Sequence, residues 1–172
     1  SEGIDDSKKL KPEERERLPA LIGERAIAYK VCEESSETVD SINILEATRL
    51  CMKRAVEGLS VQPDVVFTDG NFRLQIDLPQ QNIVRGDALS YTIGAASILA
   101  KVYRDALMCE YDKLYPQYGF AVHKGYGTKR HTDAIREYGL CKIHRRTFTK
   151  KFWEGAESGA PQNSSAPSDT KS

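Results

Sequence analysis

Asp69 closes a short apolar run, Val65-Val66-Phe67-Thr68, and is followed by Gly70. Asp105 closes a run of small and apolar residues, Gly94 to Asp105, that reads as helix. A carboxylate at a strand end and another on a helix can converge on one hard cation, which prefers carboxylate oxygens. Two such cations about 4 Å apart activate a water and stabilise charge on a departing oxygen, the two needs of phosphodiester hydrolysis. Downstream, His123-Lys124-Gly125-Tyr126-Gly127-Thr128 sets a cation and an aromatic ring among glycines. A Tyr between two glycines has little local packing and can present its ring and hydroxyl to a sugar. In this order the pieces point to a metal-dependent enzyme that grips a polyanion.

Each of these residues has a plainer reading. Asp-Gly is a common turn pair. Asp105 follows Lys101 by four residues, an ordinary helical ion pair in its less favourable order. Tyr126 could instead anchor its loop on the core, and His144 could be a core histidine. Asp87 reads as a cap on the turn into the long helix. Cys141 and His144 have the spacing of half a zinc site with no second half, and the four cysteines form no CxxC pair.

The elements that must position these residues alternate between strand and helix, which indicates an α/β fold. Pro12 opens a charged helix with Glu13 and Glu14 near its positive end, and Pro19 is expected to kink or end it. Arg25 to Cys32 alternates as a strand does. Ser36 is a plausible N-cap for a short helix to Ile42. Asn43 then caps a longer one, with Leu45, Thr48, Met52, Ala55, Val56 and Leu59 on one stripe and Gly58 near its end. Strands are expected at Val65 to Thr68 and Ile83 to Arg85. A long helix runs from about Ser90 to Leu114, stopped by Pro116, and Thr128 caps a helix to Tyr138 with Gly139 as its end signal.

Lys and Arg together number 25, as do Asp and Glu, so the formal charge is zero. The charge is uneven: His123 to Trp153 is strongly basic, which suggests a local surface for a polyanion. No apolar run approaches the roughly 18 residues that span a bilayer. Scattered cysteines fit reduced thiols and a cytoplasmic setting. The length suits one domain, assigned to residues 1–153. Residues 154–172 have the Gly, Ser, Pro and Ala composition of a disordered tail. No Gly-rich phosphate loop of known spacing is present, which argues against an unrelated nucleotide-binding domain.

DSKKL at Asp6 to Leu10, TDGN at Thr68 to Asn71, GAASILAKVYRD ending at Asp105, HKGYGT at His123 to Thr128 and IHRRTF at Ile143 to Phe148 occur in an order that resembles the bacterial ribonuclease HII family. The resemblance covers Gly3 to Phe148. It implies the ribonuclease H-like fold, a mixed five-stranded sheet with helices on both sides. It also implies an endonuclease that cuts the RNA strand of RNA–DNA hybrids, or single ribonucleotides embedded in duplex DNA, leaving 3′-hydroxyl and 5′-phosphate ends. The cofactor would be Mn²⁺ or Mg²⁺, two ions in an intact site, with Asp69 and Asp105 as catalytic metal ligands. Tyr126, Gly125, Lys124, His123, Ser7, Lys8, Lys9, Arg145 and Arg146 would meet the nucleic acid, and the enzyme would act as a monomer away from membranes. The family opens on a strand bearing Asp-Glu-x-Gly-Arg-Gly, which precedes the point matched by Ser1. The chain is therefore expected to be a fragment lacking its first strands and two carboxylates. The alternative is an inactive fragment or pseudoenzyme that only binds hybrid.

Overall fold

The computed structural model describes residues 11–153, so Ser7, Lys8, Lys9 and the 154–172 tail lie outside the described residues. Helix α1 (Pro12–Arg25) starts where Lys11 N–H donates to the Glu14 carboxylate at 2.8 Å. Pro19 neither ends nor splits it, contrary to expectation. Proline removes one backbone bond, but Leu18 beside it is 4% exposed against Ile98, which is fully buried. Burial of that face outweighs the lost bond, and Ala26 N–H on the Ile22 carbonyl at 2.8 Å closes the last turn.

Helix α2 (Ser36–Glu57) is two helices joined at Asn43, which has φ 68°. The cap of the first is Ser35, one residue earlier than the sequence suggested, with Thr38 N–H on its hydroxyl at 3.1 Å. Asn43 begins the second as expected: its side-chain oxygen accepts from Leu45 N–H at 3.0 Å and Glu46 N–H at 3.1 Å. The expected apolar stripe is only partly covered, and Leu45 is exposed.

Strand β1 (Val66–Asp69) pairs in parallel with β2 (Gln80–Ile83), Asp69 opposite Ile83. The second strand lies three residues before its expected place, because Arg85 adopts φ 58° and turns the chain away. The Gln80 side chain binds the Leu74 N–H at 2.9 Å and the Leu74 carbonyl at 3.0 Å, tying the connecting loop to the strand. Arg25 to Cys32 forms no strand. Among the described residues β1 and β2 pair only with each other, and a strand without a partner is not stable; Ile27 is 88% exposed.

After the short helix α3 (Gly86–Leu89), α4 (Tyr91–Leu114) spans the structure, capped by the Ser90 hydroxyl. Its first half packs on α1 through Ile98 and Val102. Its second half carries Met108 into a core with Tyr118, Phe120, Ala134 and Ile135. That core is completed by α5 (Phe120–His123) and α6 (Lys129–Tyr138), with Thr128 as the α6 cap. Helix α7 (Arg146–Trp153) was not anticipated. Asp40 holds its start, accepting from Arg146 N–H at 2.6 Å and Thr147 N–H at 3.0 Å.

Candidate active site

Strand β1 delivers Asp69 to an exposed corner, where Gly70 turns at φ 119°. Gly86 N–H donates to Asp69 Oδ1 at 2.9 Å. That close approach needs glycine. A Cβ on Gly86 would lie 2.6 Å from Ile93 Cδ1 and 3.6 Å from Asp69 Cα. Asp87 follows directly, half-buried, with one oxygen turned back to Ala88 N–H at 3.0 Å. Thus a strand end meets the first turn of α3 through Gly86, with Asp69 on one side of that bond and Asp87 next along the chain. Gly86→Ala is expected to cost roughly 1–3 kcal/mol by overpacking against Ile93. Thermal unfolding checks this, and an unchanged melting temperature would show that the corner yields freely.

Asp105 has a different setting. It is 8% exposed, and both oxygens meet cations: Lys101 Nζ at 2.5 Å and Arg15 at 3.2 Å. The plainer i,i+4 reading is thus present, with a third member from α1. Ile93, which touches Gly86, lies twelve residues earlier on the same helix, about 18 Å at the helical rise. Asp87 thus follows the residue that holds Asp69, while Asp105 sits further along α4 in its own ion pairs.

The His123 to Thr128 loop docks on the far half of α4. Lys124 takes φ 52° and Gly125 φ 82°. Arg104 donates to the Lys124 carbonyl at 3.2 Å, and Lys124 Nζ reaches Cys109 Sγ at 3.2 Å. Tyr126 stands out at 64% exposed, as a ring offered to a ligand would. Arg145 lies over the Phe148 ring at 4.6 Å, and Arg146 is exposed at the start of α7.

The model of the family described as Ribonuclease HII matches residues 1–154. The chain belongs to the ribonuclease HII family. It is 53% identical over 146 residues to Ribonuclease HII of Desulfitobacterium hafniense strain DSM 10664, covering 85% of this chain and 56% of that protein. It is 51% identical over 148 residues to Ribonuclease HII 1 of Methylibium petroleiphilum, covering 86% and 75%. The chain thus spans little more than half the length of the first relative. The crystal structure of ribonuclease H2 from Pyrococcus horikoshii superposes with a TM-score of 0.77 at 22% identity, over 91% of this chain and 83% of the other. The ribonuclease H-like α/β fold is thereby shown, although the described sheet has two strands where the resemblance implied five.

Within this family frame, the ring of His123 is buried and both its nitrogens are engaged. Nε2–H donates to the Tyr118 carbonyl at 2.8 Å, and Nδ1 accepts from Gly125 N–H at 3.2 Å. It acts inside the loop, where the sequence had suggested a phosphate contact. His144 is a core histidine, 7% exposed, with Cys141 N–H on Nδ1 at 2.9 Å. Among the described residues no group of three or more His, Cys, Asp or Glu is placed to hold a metal. Asp69 and Asp87 are hard oxygen donors suited to a divalent ion, but only part of a ligand set. The sequence reading passed over Asp87 because an Asp before a helix is the ordinary cap signal. The glycine before it, which binds Asp69, makes Asp87 a second candidate.

Burial lowers the His144 pKa from 6.5 to about 4, with His131 beside it acting the same way. The unfolded chain therefore takes up this proton at a higher pH than the folded one. Stability is full above about pH 6.5 and falls as pH drops toward 4, by up to about 3 kcal/mol from this group. Denaturant unfolding from pH 7.5 to 4.5 should show this slope, and His144→Asn should flatten it. Equal slopes in the two proteins would contradict it.

Proposed function

We propose that this chain carries the catalytic core of a cytoplasmic endoribonuclease. It would hydrolyse the RNA strand of RNA–DNA hybrids, and single ribonucleotides embedded in duplex DNA, leaving 3′-hydroxyl and 5′-phosphate ends. The observation that carries this reading is the Asp69–Gly86–Asp87 corner, in a chain of the ribonuclease HII family with a basic, aromatic-bearing loop. Mn²⁺ or Mg²⁺, two ions in the complete site, would activate the attacking water and stabilise charge on the leaving oxygen.

In this reading Asp69 and Asp87 hold metal. The Gly86 N–H fixes the Asp69 carboxylate through one oxygen and leaves the other for the ion. Asp105, first expected as a ligand, ties α4 to α1 through Arg15 and pairs with Lys101 on its own helix. Tyr126 lies against the sugar beside the scissile phosphate, on a loop held by Lys124 and Gly125. Arg145, Arg146, Ser7, Lys8 and Lys9 bind flanking phosphates and set register without reading sequence. The 2′-hydroxyl distinguishes ribose from deoxyribose at such a site.

The test is cleavage of a duplex carrying one ribonucleotide, against the same duplex in all DNA, with and without divalent ion. Metal-dependent incision only of the first supports the proposal. A second reading, hybrid binding without cleavage, is favoured by the lack of a three-ligand cluster among the described residues. Salt-sensitive retention of hybrid by the intact protein, with no incision, would establish that reading instead.

A further inference from the structure

The three histidines of the chain, His123, His131 and His144, form one buried cluster around the Tyr126 loop. The donors around them assign each tautomer. His144 Nδ1 accepts Cys141 N–H at 2.9 Å, so its proton is on Nε2. That Nε2–H points at His131 Nε2, 3.0 Å away, which must then accept. His131 is thereby left with its proton on Nδ1, aimed at the Tyr126 carbonyl at 2.9 Å. His123 stacks on His131 with ring centroids 4.2 Å apart, and its Nδ1 accepts Gly125 N–H.

We propose that His131 and His144 are positioning residues: a relay from the Cys141 amide through both imidazoles fixes the Tyr126 carbonyl, and so aims the Tyr126 ring. The proposal rests on the reading that Tyr126 meets the nucleic acid. The relay has one polarity. Each ring is both acceptor and donor, so neither His131 nor His144 can be replaced by an apolar side chain without leaving a buried polar group unmatched. The Tyr126 carbonyl also accepts Thr128 N–H at 2.8 Å, and Tyr126 N–H donates to the His123 carbonyl at 2.9 Å. These two amides therefore report whether the loop is held. Lys124 and Gly125 have positive φ, so the loop depends on such anchors rather than on regular backbone bonding.

The experiment compares His131→Leu with His131→Asn in the whole protein. Leu fills the space and removes the donor, whereas the Asn amide nitrogen stands near the Nδ1 position and keeps the bond to Tyr126. The expected result for Leu is amide exchange at Tyr126 and Thr128 faster by about five- to tenfold, with α4 amides unchanged, since one net hydrogen bond is lost. Asn restores exchange to within about twofold, on the same grounds. On the ribonucleotide-bearing duplex kcat falls for Leu more than KM rises, because phosphate contacts set binding while the ring sets geometry. If His131→Leu does not fold, His144→Asn replaces it, keeping the acceptor for Cys141 and dropping the donor to His131. Selective loosening of the loop, reversed by Asn, supports the relay. Unchanged loop exchange, or a rise shared equally by α4, overturns it. Tyr126→Ala is run alongside. If it cleaves as wild type, the substrate role of Tyr126 fails, and the exchange data alone decide the relay.

Discussion

Asp87→Asn is expected to lower turnover by roughly 100-fold or more, above the 10–100-fold typical of residues that only support a metal ligand. Hybrid binding should change little, because the proposed phosphate contacts lie elsewhere. Asp69→Asn should do the same, and it is a clean variant. Its side-chain oxygen can still accept Gly86 N–H, so the corner keeps its shape and loses only charge. Asp105→Asn should behave in the opposite way. Arg15 and Lys101 would lose a shared counterion that is itself buried, while both cations keep some access to water. The expected cost is roughly 1–3 kcal/mol of stability, below that of breaking a fully buried pair. Turnover at a temperature where the variant is folded should stay within a few-fold. Steady-state kinetics and thermal unfolding on the three variants separate the roles. An Asp105 variant that melts normally but does not cleave would return Asp105 to the metal site.

Tyr126→Ala should reduce kcat/KM on a single embedded ribonucleotide by an amount equivalent to about 1–3 kcal/mol, the scale of an aromatic contact with nucleic acid. Tyr126 is 64% exposed, so truncation leaves no cavity, and stability should change by no more than about 0.5 kcal/mol. Preference for the ribonucleotide junction over continuous hybrid should weaken as well. A large fall in melting temperature with normal cleavage in the cold would make Tyr126 a structural anchor.

Local signals carried the sequence reading a long way. Asn43 and Thr128 announce helix starts through side-chain oxygens, Gly139 a helix end through its backbone, and the structure uses all three. The errors fall where a partner decides the outcome. Pro19 signals a break, but Leu18 and Ile98 bury that face and the helix continues. Arg25 to Cys32 has strand alternation and no strand beside it among the described residues. The surroundings of Asp105 and Asp87 were hidden for the same reason. Arg15 reaches Asp105 across 90 residues, and Gly86 reaches Asp69 across 17, neither of which spacing along the chain reveals. The histidine cluster was invisible in sequence because its members come from three separate segments.

The central claim is that Asp69 and Asp87 are the metal seat, and paramagnetic broadening of backbone amides by Mn²⁺ tests it most directly. On titration, the amides of Gly70, Gly86 and Asp87 should broaden first, those of Arg104 and Ala106 should stay sharp, and Asp87→Asn should abolish the effect. Broadening centred on Lys101 to Asp105, and unaffected by Asp87→Asn, would contradict the account.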